Sequence, residues 1–350
     1  MPSREPSWWY RPQPTLTARL LAPAAALYGA AAEYRMQRSP SAKSPLPVIC
    51  IGNFTAGGTG KTPLALLVAD RLIQRGFTPV FLTRGYGSRV RGPTLVDPAR
   101  HGAVDVGDEA LLLARAACVM VAPDRTAGAR AIVEQCLDAS LIIMDDGLQN
   151  PSLAKDLRIA VVDGARGFGN GLVIPAGPVR APLGVQLTHT DVVVVNGRRD
   201  DRDGIARAIA LAFAGPVLSA HQAPAGDSSW LTGTPVVAFA GIGNPQRFFK
   251  LLQQLGAHLV QERSFADHHA FTDGEAADLL AAAQRHGATL VTTEKDFVRL
   301  AGASGARGEL ARSARPLAIS TTFDDDGEDR LLDLVLETLT RRQSARQPVG

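Results

Sequence analysis

Eight consecutive residues of this 350-residue chain, Thr55, Ala56, Gly57, Gly58, Thr59, Gly60, Lys61 and Thr62, have the types and order that hold a polyphosphate. They follow the apolar run VICIGN and precede TPLALLVADRLIQRG, so they read as strand, glycine loop and helix. In that arrangement successive backbone N–H groups wrap a triphosphate, Lys61 reaches the β- and γ-phosphates, and the Thr62 hydroxyl ligates magnesium. The full motif, GxxxxGK followed by Ser or Thr, has glycine where this chain has Thr55. The core GGTGKT in its strand–loop–helix setting still separates it from a ligand-free glycine turn.

Other polar residues stand where a nucleotide site would need them. The run LIIM leads into Asp145 and Asp146, and a carboxylate at the end of a neighbouring strand is where such enzymes hold magnesium. Gln149 follows in GLQN, where a turn role would also account for it. Asp108 and Glu109 open a helix in DVGDEALLLA; capping and the helix dipole would suffice to place them there. TRGYGS can be a plain glycine turn. Asp267–His268–His269 can be a solvated loop, since no HxxxH or HExxH accompanies it.

The elements that must position these residues alternate along the chain. VICIGN, TPVFLTRGYG, CVMVAP, SLIIMDDG, RIAVVDG and DVVVVNG read as strands buried on both faces. TPLALLVADRLIQRG, DEALLLARAA and RTAGARAIVEQC read as the helices between them. This predicts an α/β fold, a P-loop NTPase-like doubly wound parallel sheet. Around 214–235 the text loosens into Pro, Gly and Ser, a linker by composition. A second alternation follows: PVVAFAGIG, a helix over 245–256, HLVQERSF, a helix over 273–286, ATLVTTEKD, PLAIST and a terminal helix near 328–341. The division expected is an N-terminal segment 1–44, a P-loop kinase domain 45–214, and a smaller α/β domain 215–345 that contributes to the active-site cleft. The tail SARQPVG reads as frayed.

Composition narrows the class. The chain is 45% hydrophobic and 20% charged, enough to bury a sizeable core. Its three cysteines, Cys50, Cys118 and Cys136, form no CxxC and argue for a reducing compartment over a disulfide framework. A net charge of +3 is too small to argue for nucleic acid. That charge is concentrated: residues 1–44 carry Arg4, Arg11, Arg19, Arg35, Arg38 and Lys43 against Glu5 and Glu33, and the rest of the chain is slightly acidic. Beside them lie Trp8–Trp9–Tyr10 and the uncharged stretch LLAPAAALYGAAA. As a helix that stretch reaches about 20 Å, short of a roughly 30 Å hydrocarbon core. It therefore packs on its own domain or lies in a membrane interface, and the flanking Trp and Arg favour the interface.

The ordered set NFTAGGTGKTP, TRGYGS, VGDEALLLA, MDDGLQN, PAGPVRAP, GIGNPQRFF, DHHAFT and TTEKDFVRL resembles the tetraacyldisaccharide 4′-kinase family of lipid A biosynthesis over nearly the whole chain. The resemblance implies two α/β/α domains and transfer of the ATP γ-phosphate, with Mg²⁺, to the 4′-hydroxyl of a tetraacylated glucosamine disaccharide 1-phosphate. It also implies peripheral attachment at the cytoplasmic face of the bacterial inner membrane. It makes Lys61 and Thr62 the phosphate and magnesium ligands, with Asp145, Asp146 and Glu109 at the metal. Asp108 becomes the candidate base, and His268 from the second domain completes a dyad. Arg84, Tyr86, Gln149, Arg180 and Asp267 fall to the substrate. Ala110, Ala181 and Ala270 depart from the family's usual proline, glutamate and proline, at positions outside the phosphate, metal and base set.

Two other classes fit parts of the sequence. A membrane-associated P-loop ATPase switch would carry a second lysine where this chain has Ala56. A soluble small-molecule kinase of the same fold would use residues 1–40 for packing alone.

Overall fold

A computed structural model describes residues 5–344. Arg4 and residues 345–350, with most of the tail read as frayed and the last residue of the expected second domain, lie outside the described residues. The strands are β1 Val48–Gly52, β2 Pro79–Thr83, β3 Thr94–Leu95, β4 Val119–Val121, β5 Leu141–Asp145, β6 Leu157–Asp163, β7 Val192–Asn196, β8 Val217–Pro224, β9 Pro235–Ala240, β10 His258–Ser264, β11 Thr289–Thr293, β12 Arg315–Leu317 and β13 Ile319–Phe323. Nine of them form one sheet in the order β13-β8-β7-β6-β1-β5-β2-β4-β3. It is parallel except at its edges, where β3 and β13 run antiparallel to their neighbours.

β1, β2 and β5 are buried along their whole length, as expected of a sheet covered on both faces. The period-2 pleat divides β1 between two cores. Ile49 and Ile51 face the helix Lys61–Ile73 and the C-terminal helix Gly327–Ser344, through Leu64, Val68, Leu331 and Val335. Val48 and Cys50 face the opposite layer, with Ala129 and Ile132 of the helix Arg125–Gln135. β1 sits between β6 and β5, so its C-terminal end opens into the crevice where such sheets bind ligands.

The remaining strands form an all-parallel sheet, β10-β9-β11-β12, covered by the helices Pro245–Gln254, Asp273–His286 and Gly305–Ser313. The expected boundary at 214/215 differs from this topology. β8 belongs to the large sheet and pairs antiparallel with β13, from Pro224 opposite Ile319 to Ala220 opposite Phe323. The small sheet is thus inserted between two neighbouring strands of the large one, and the C-terminal helix returns to the first core. PLAIST, read as one strand, is split at Ala318 into β12 and β13, which lie in different sheets.

The N-terminal helix Leu16–Met36 is longer than its uncharged stretch, yet no helix among the described residues is long and apolar enough to cross a membrane. Its small residues, Ala18, Ala25, Gly29 and Ala32, face the protein, with Gly29 against Val173 and Pro182. Leu16, Leu20, Leu27 and Tyr34 point outward, and each is at least two-thirds exposed. Their spacing of 4, 7 and 7 residues puts them on one stripe opposite the small one.

Candidate active site

The glycine loop is held from three sides. Buried Asn53 donates its amide N–H to Gly57 O at 3.1 Å, and buried Asn196, at the end of β7, donates to Thr59 O at 2.9 Å. The Ala56 N–H donates to Pro178 O at 2.8 Å. Gly57 and Gly60 both sit at φ +95°, which side chains rarely adopt, and a Cβ on Gly60 would collide with the Asn196 amide. Thr55 occupies the position of the missing glycine as a buried bridge partner of Val179. Lys61 and Thr62 follow at the start of their helix, both buried. Loop and lysine open into a cleft of about 2140 Å³ between the two sheets.

The four acids expected here have different surroundings. Asp146, at φ +52°, is 3.8 Å from Lys61 Nζ and accepts from Arg180 at 2.6 Å. Burial opposes its ionisation, but Lys61 and Arg180 prevail and hold its carboxyl below the usual range. Asp145 is buried, and neither of its carboxylate oxygens has a hydrogen-bond partner among the described residues. Burial, with Glu109 nearby and Lys61 opposing, pushes it up to about 7. Glu109 is paired with Lys295 at 2.6 Å, and that charge lowers its pKa.

Asp108 meets His268 as expected, Oδ2 to Nδ1 at 2.9 Å. The carboxylate is almost fully buried behind the imidazole, and its oxygens are already occupied. Oδ1 accepts the Glu109 N–H at 2.9 Å, and Oδ2 accepts Arg299 Nε at 2.7 Å, with Arg299 Nη2 closing the fork. Burial is overcome by His268, Arg299 and Lys295, so Asp108 stays ionised. His268, rather than Asp108, lines the cleft. The hydrogen bond to Asp108 raises the histidine's pKa, against the effect of burial. His268 has φ +57°; its ring lies 5.6 Å from that of Tyr86, and its Nε2 is 3.7 Å from Asp267.

A family model described as tetraacyldisaccharide-1-P 4′-kinase matches residues 17–337. The chain belongs to that family. Curated relatives named tetraacyldisaccharide 4′-kinase include one from Rhodopseudomonas palustris strain BisB18, 49% identical over 99% of both chains. Another, from Methylobacterium sp. strain 4-46, is 52% identical over 92% of this chain and 94% of its own. Among solved structures, LpxK from Aquifex aeolicus, described as an "apo" form in complex with ATP, is similar in fold. It has a TM-score of 0.72 and 24% identity, covering 93% of this chain and all of that one.

In this member of the kinase family the remaining expected residues also gather at the cleft. Arg84, Tyr86, Gln149, Arg180 and Asp267 all line it. The Gln149 amide, however, donates to Asn53 O and Gln186 Oε1, both at 2.7 Å, so that end braces the loop. Sequence reading missed four cations. Arg125 is 2% exposed and donates to Ala122 O at 2.7 Å, and its charge is felt by Asp145 and Asp146. A cation at the first position of a helix opposes the dipole, which was a readable sign of a partner elsewhere. Arg247 approaches Asp163 at 3.3 Å. Lys295 and Arg299 stand four apart in TTEKDFVRL and so share a helix face, but their partners lie 186 and 191 positions away.

Proposed function

We propose that this chain transfers the γ-phosphoryl group of ATP to the 4′-hydroxyl of a tetraacylated glucosamine disaccharide 1-phosphate, at the cytoplasmic face of the inner membrane. The observation that carries the reading is that the phosphate-loop lysine, Asp146 and His268 line one cleft, in a member of this kinase family. The loop amides and Lys61 bind the β- and γ-phosphates, while Arg125 and Arg180 add positive charge around the transferring group.

Mg²⁺ fits the donors present. Among the described residues no three His, Cys, Asp or Glu side chains make a ready cage. Magnesium takes few protein ligands and completes its shell with phosphate and water. Thr62 and the unpartnered Asp145 would hold it; Asp146 and Glu109, expected beside it, are already ion-paired with protein cations. When bound, the ion neutralises phosphate charge.

The sequence reading made Asp108 the base; the proposal here gives that part to His268. Nδ1 faces the Asp108 carboxylate and carries its proton there, which leaves the lone pair on Nε2, 3.7 Å from Asp267. As the 4′-oxygen bonds to the γ-phosphorus and the bond to the ADP oxygen breaks, the hydroxyl proton passes to Nε2. Asp108 orients the ring and stabilises the imidazolium, as a buried carboxylate does behind a catalytic histidine.

Peripheral attachment is part of the same proposal. The outward stripe of Leu16, Leu20, Leu27 and Tyr34, flanked by Arg19, Arg35 and Arg38, suits an anionic membrane surface. Incubating the purified chain with labelled ATP, Mg²⁺ and the micellar tetraacyldisaccharide 1-phosphate tests the reading. A doubly phosphorylated lipid is the expected product; ADP formation with no labelled lipid would leave only an ATPase.

A further inference from the structure

We infer that Arg299 is a positioning residue that locks the two halves of the Asp108–His268 pair into one frame. The inference rests on the kinase reading above and adds to it a residue from the small-sheet side.

Arg299 lies on the short helix Glu294–Leu300, and its side chain is only 5% exposed. All its polar atoms are in use. Nε and Nη2 fork onto Asp108 Oδ2, while Nη1 donates to Gly241 O and Asp296 Oδ1 at 2.7 and 2.6 Å. Those two acceptors are fixed in turn. The Gly241 N–H donates to Asp296 Oδ1 at 3.0 Å, and fully buried Asp296 also accepts from the Thr293 hydroxyl. The same Gly241 carbonyl receives the His268 backbone N–H at 3.1 Å. One guanidinium therefore ties the carboxylate, which comes from the large-sheet side, to the carbonyl that holds the histidine backbone.

The geometry is what an imidazole needs if Nε2 is to meet a hydroxyl. The residue sits in left-handed backbone on a loop, and the Asp108 contact alone would let ring and carboxylate move together. The fork removes that freedom, because two N–H groups of one rigid, planar guanidinium converge on Oδ2 while its third nitrogen holds the Gly241 carbonyl. Lys295, one turn earlier, makes the parallel contact to Glu109, so the helix docks as a pair of cations against a pair of acids. Arg299 is not among the residues that line the cleft; it acts through Asp108.

The test compares Arg299→Ala, Arg299→Lys and Asp108→Asn singly, and Asp108→Asn with Arg299→Ala, in the full chain. Arg307→Ala serves as control, since Arg307 makes an exposed pair with Asp273. Arg299→Ala should lower kcat by about 10²-fold, the cost of losing a near-attack geometry, with KM for ATP within twofold. Arg299→Lys, which keeps charge but not the fork, should recover only part of the rate. The double variant should be no slower than Asp108→Asn, because residues acting as one unit are not additive. An equal loss from Arg299→Ala in both backgrounds, or kcat within threefold of the parent, overturns the inference. If Asp108→Asn itself keeps full rate, the reading of the pair fails instead, and the two failures are told apart.

Discussion

At the scale of residues, the site is a set of carboxylates with unequal neighbours, and each neighbour dictates a measurable outcome. Lys61 is the cation between the glycine loop and Asp146, so Lys61→Ala should nearly abolish turnover while the melting temperature stays close to the parent's. Near-normal kinase activity in that variant would remove the loop from the mechanism. His268 is held above its ordinary value of 6.5, chiefly by the hydrogen bond to Asp108, with Asp267 adding and Arg299 opposing. A base works deprotonated, so kcat should climb with pH along a limb whose midpoint lies above 6.5. Asp108→Asn removes the charge that raises it. The limb should then move to lower pH while the plateau falls by about 10²–10⁴-fold. A pH–rate profile of the two proteins decides this; a limb that stays in place would mean another group is titrating. The acids and the loop lysine were legible from type and order. Their division of labour was not, because which cation reaches which acid depends on pairings such as Lys295 with Glu109 that no local spacing encodes.

At the scale of elements, legibility followed burial. β1, β5 and β7 are wholly buried and stand out as unbroken apolar runs. β8 is half-buried, ends in proline and sits in Pro- and Ser-rich text, so composition presented it as linker. PLAIST hides a break because one residue, Ala318, suffices to pass from one sheet to the other. The loop preceding the helix Lys61–Ile73 offers its own test. Gly60→Ala places a methyl against the Asn196 amide at a positive φ, and should weaken ATP binding in calorimetric titration without unfolding the chain. Unchanged affinity would show that the loop adapts. Apart from buried Met36 at its end, the N-terminal helix carries large apolar residues outward and small ones inward, the reverse of an ordinary surface helix. Leu20→Asp with Leu27→Asp should cut partition onto anionic vesicles in a flotation assay and leave the melting temperature unchanged, because neither side chain is in the core. Equal partition would assign membrane contact elsewhere.

At the scale of the whole molecule, the small sheet is an insertion between partners that are already hydrogen-bonded, down to the Ala225 N–H on Ala318 O at 2.9 Å. Replacing residues 226–317 by a short turn should therefore leave a protein that melts cooperatively and still binds ATP, but transfers phosphate to lipid at least about 10²-fold more slowly, having lost His268. Circular dichroism and calorimetry check the first two outcomes, and an unfolded product would show that the large sheet depends on the insertion. The insertion also bears on the order of events at the ribosome. β13 and the C-terminal helix, which supplies Leu331, Val335 and Leu339 to the first core, are made after everything they must pack against. The nascent chain thus carries a nearly complete but uncovered sheet while the insertion emerges and folds, a state that invites chaperones and rewards a fast-folding insert. The N-terminal helix is out long before that, so its outward apolar stripe is exposed while the core is still open.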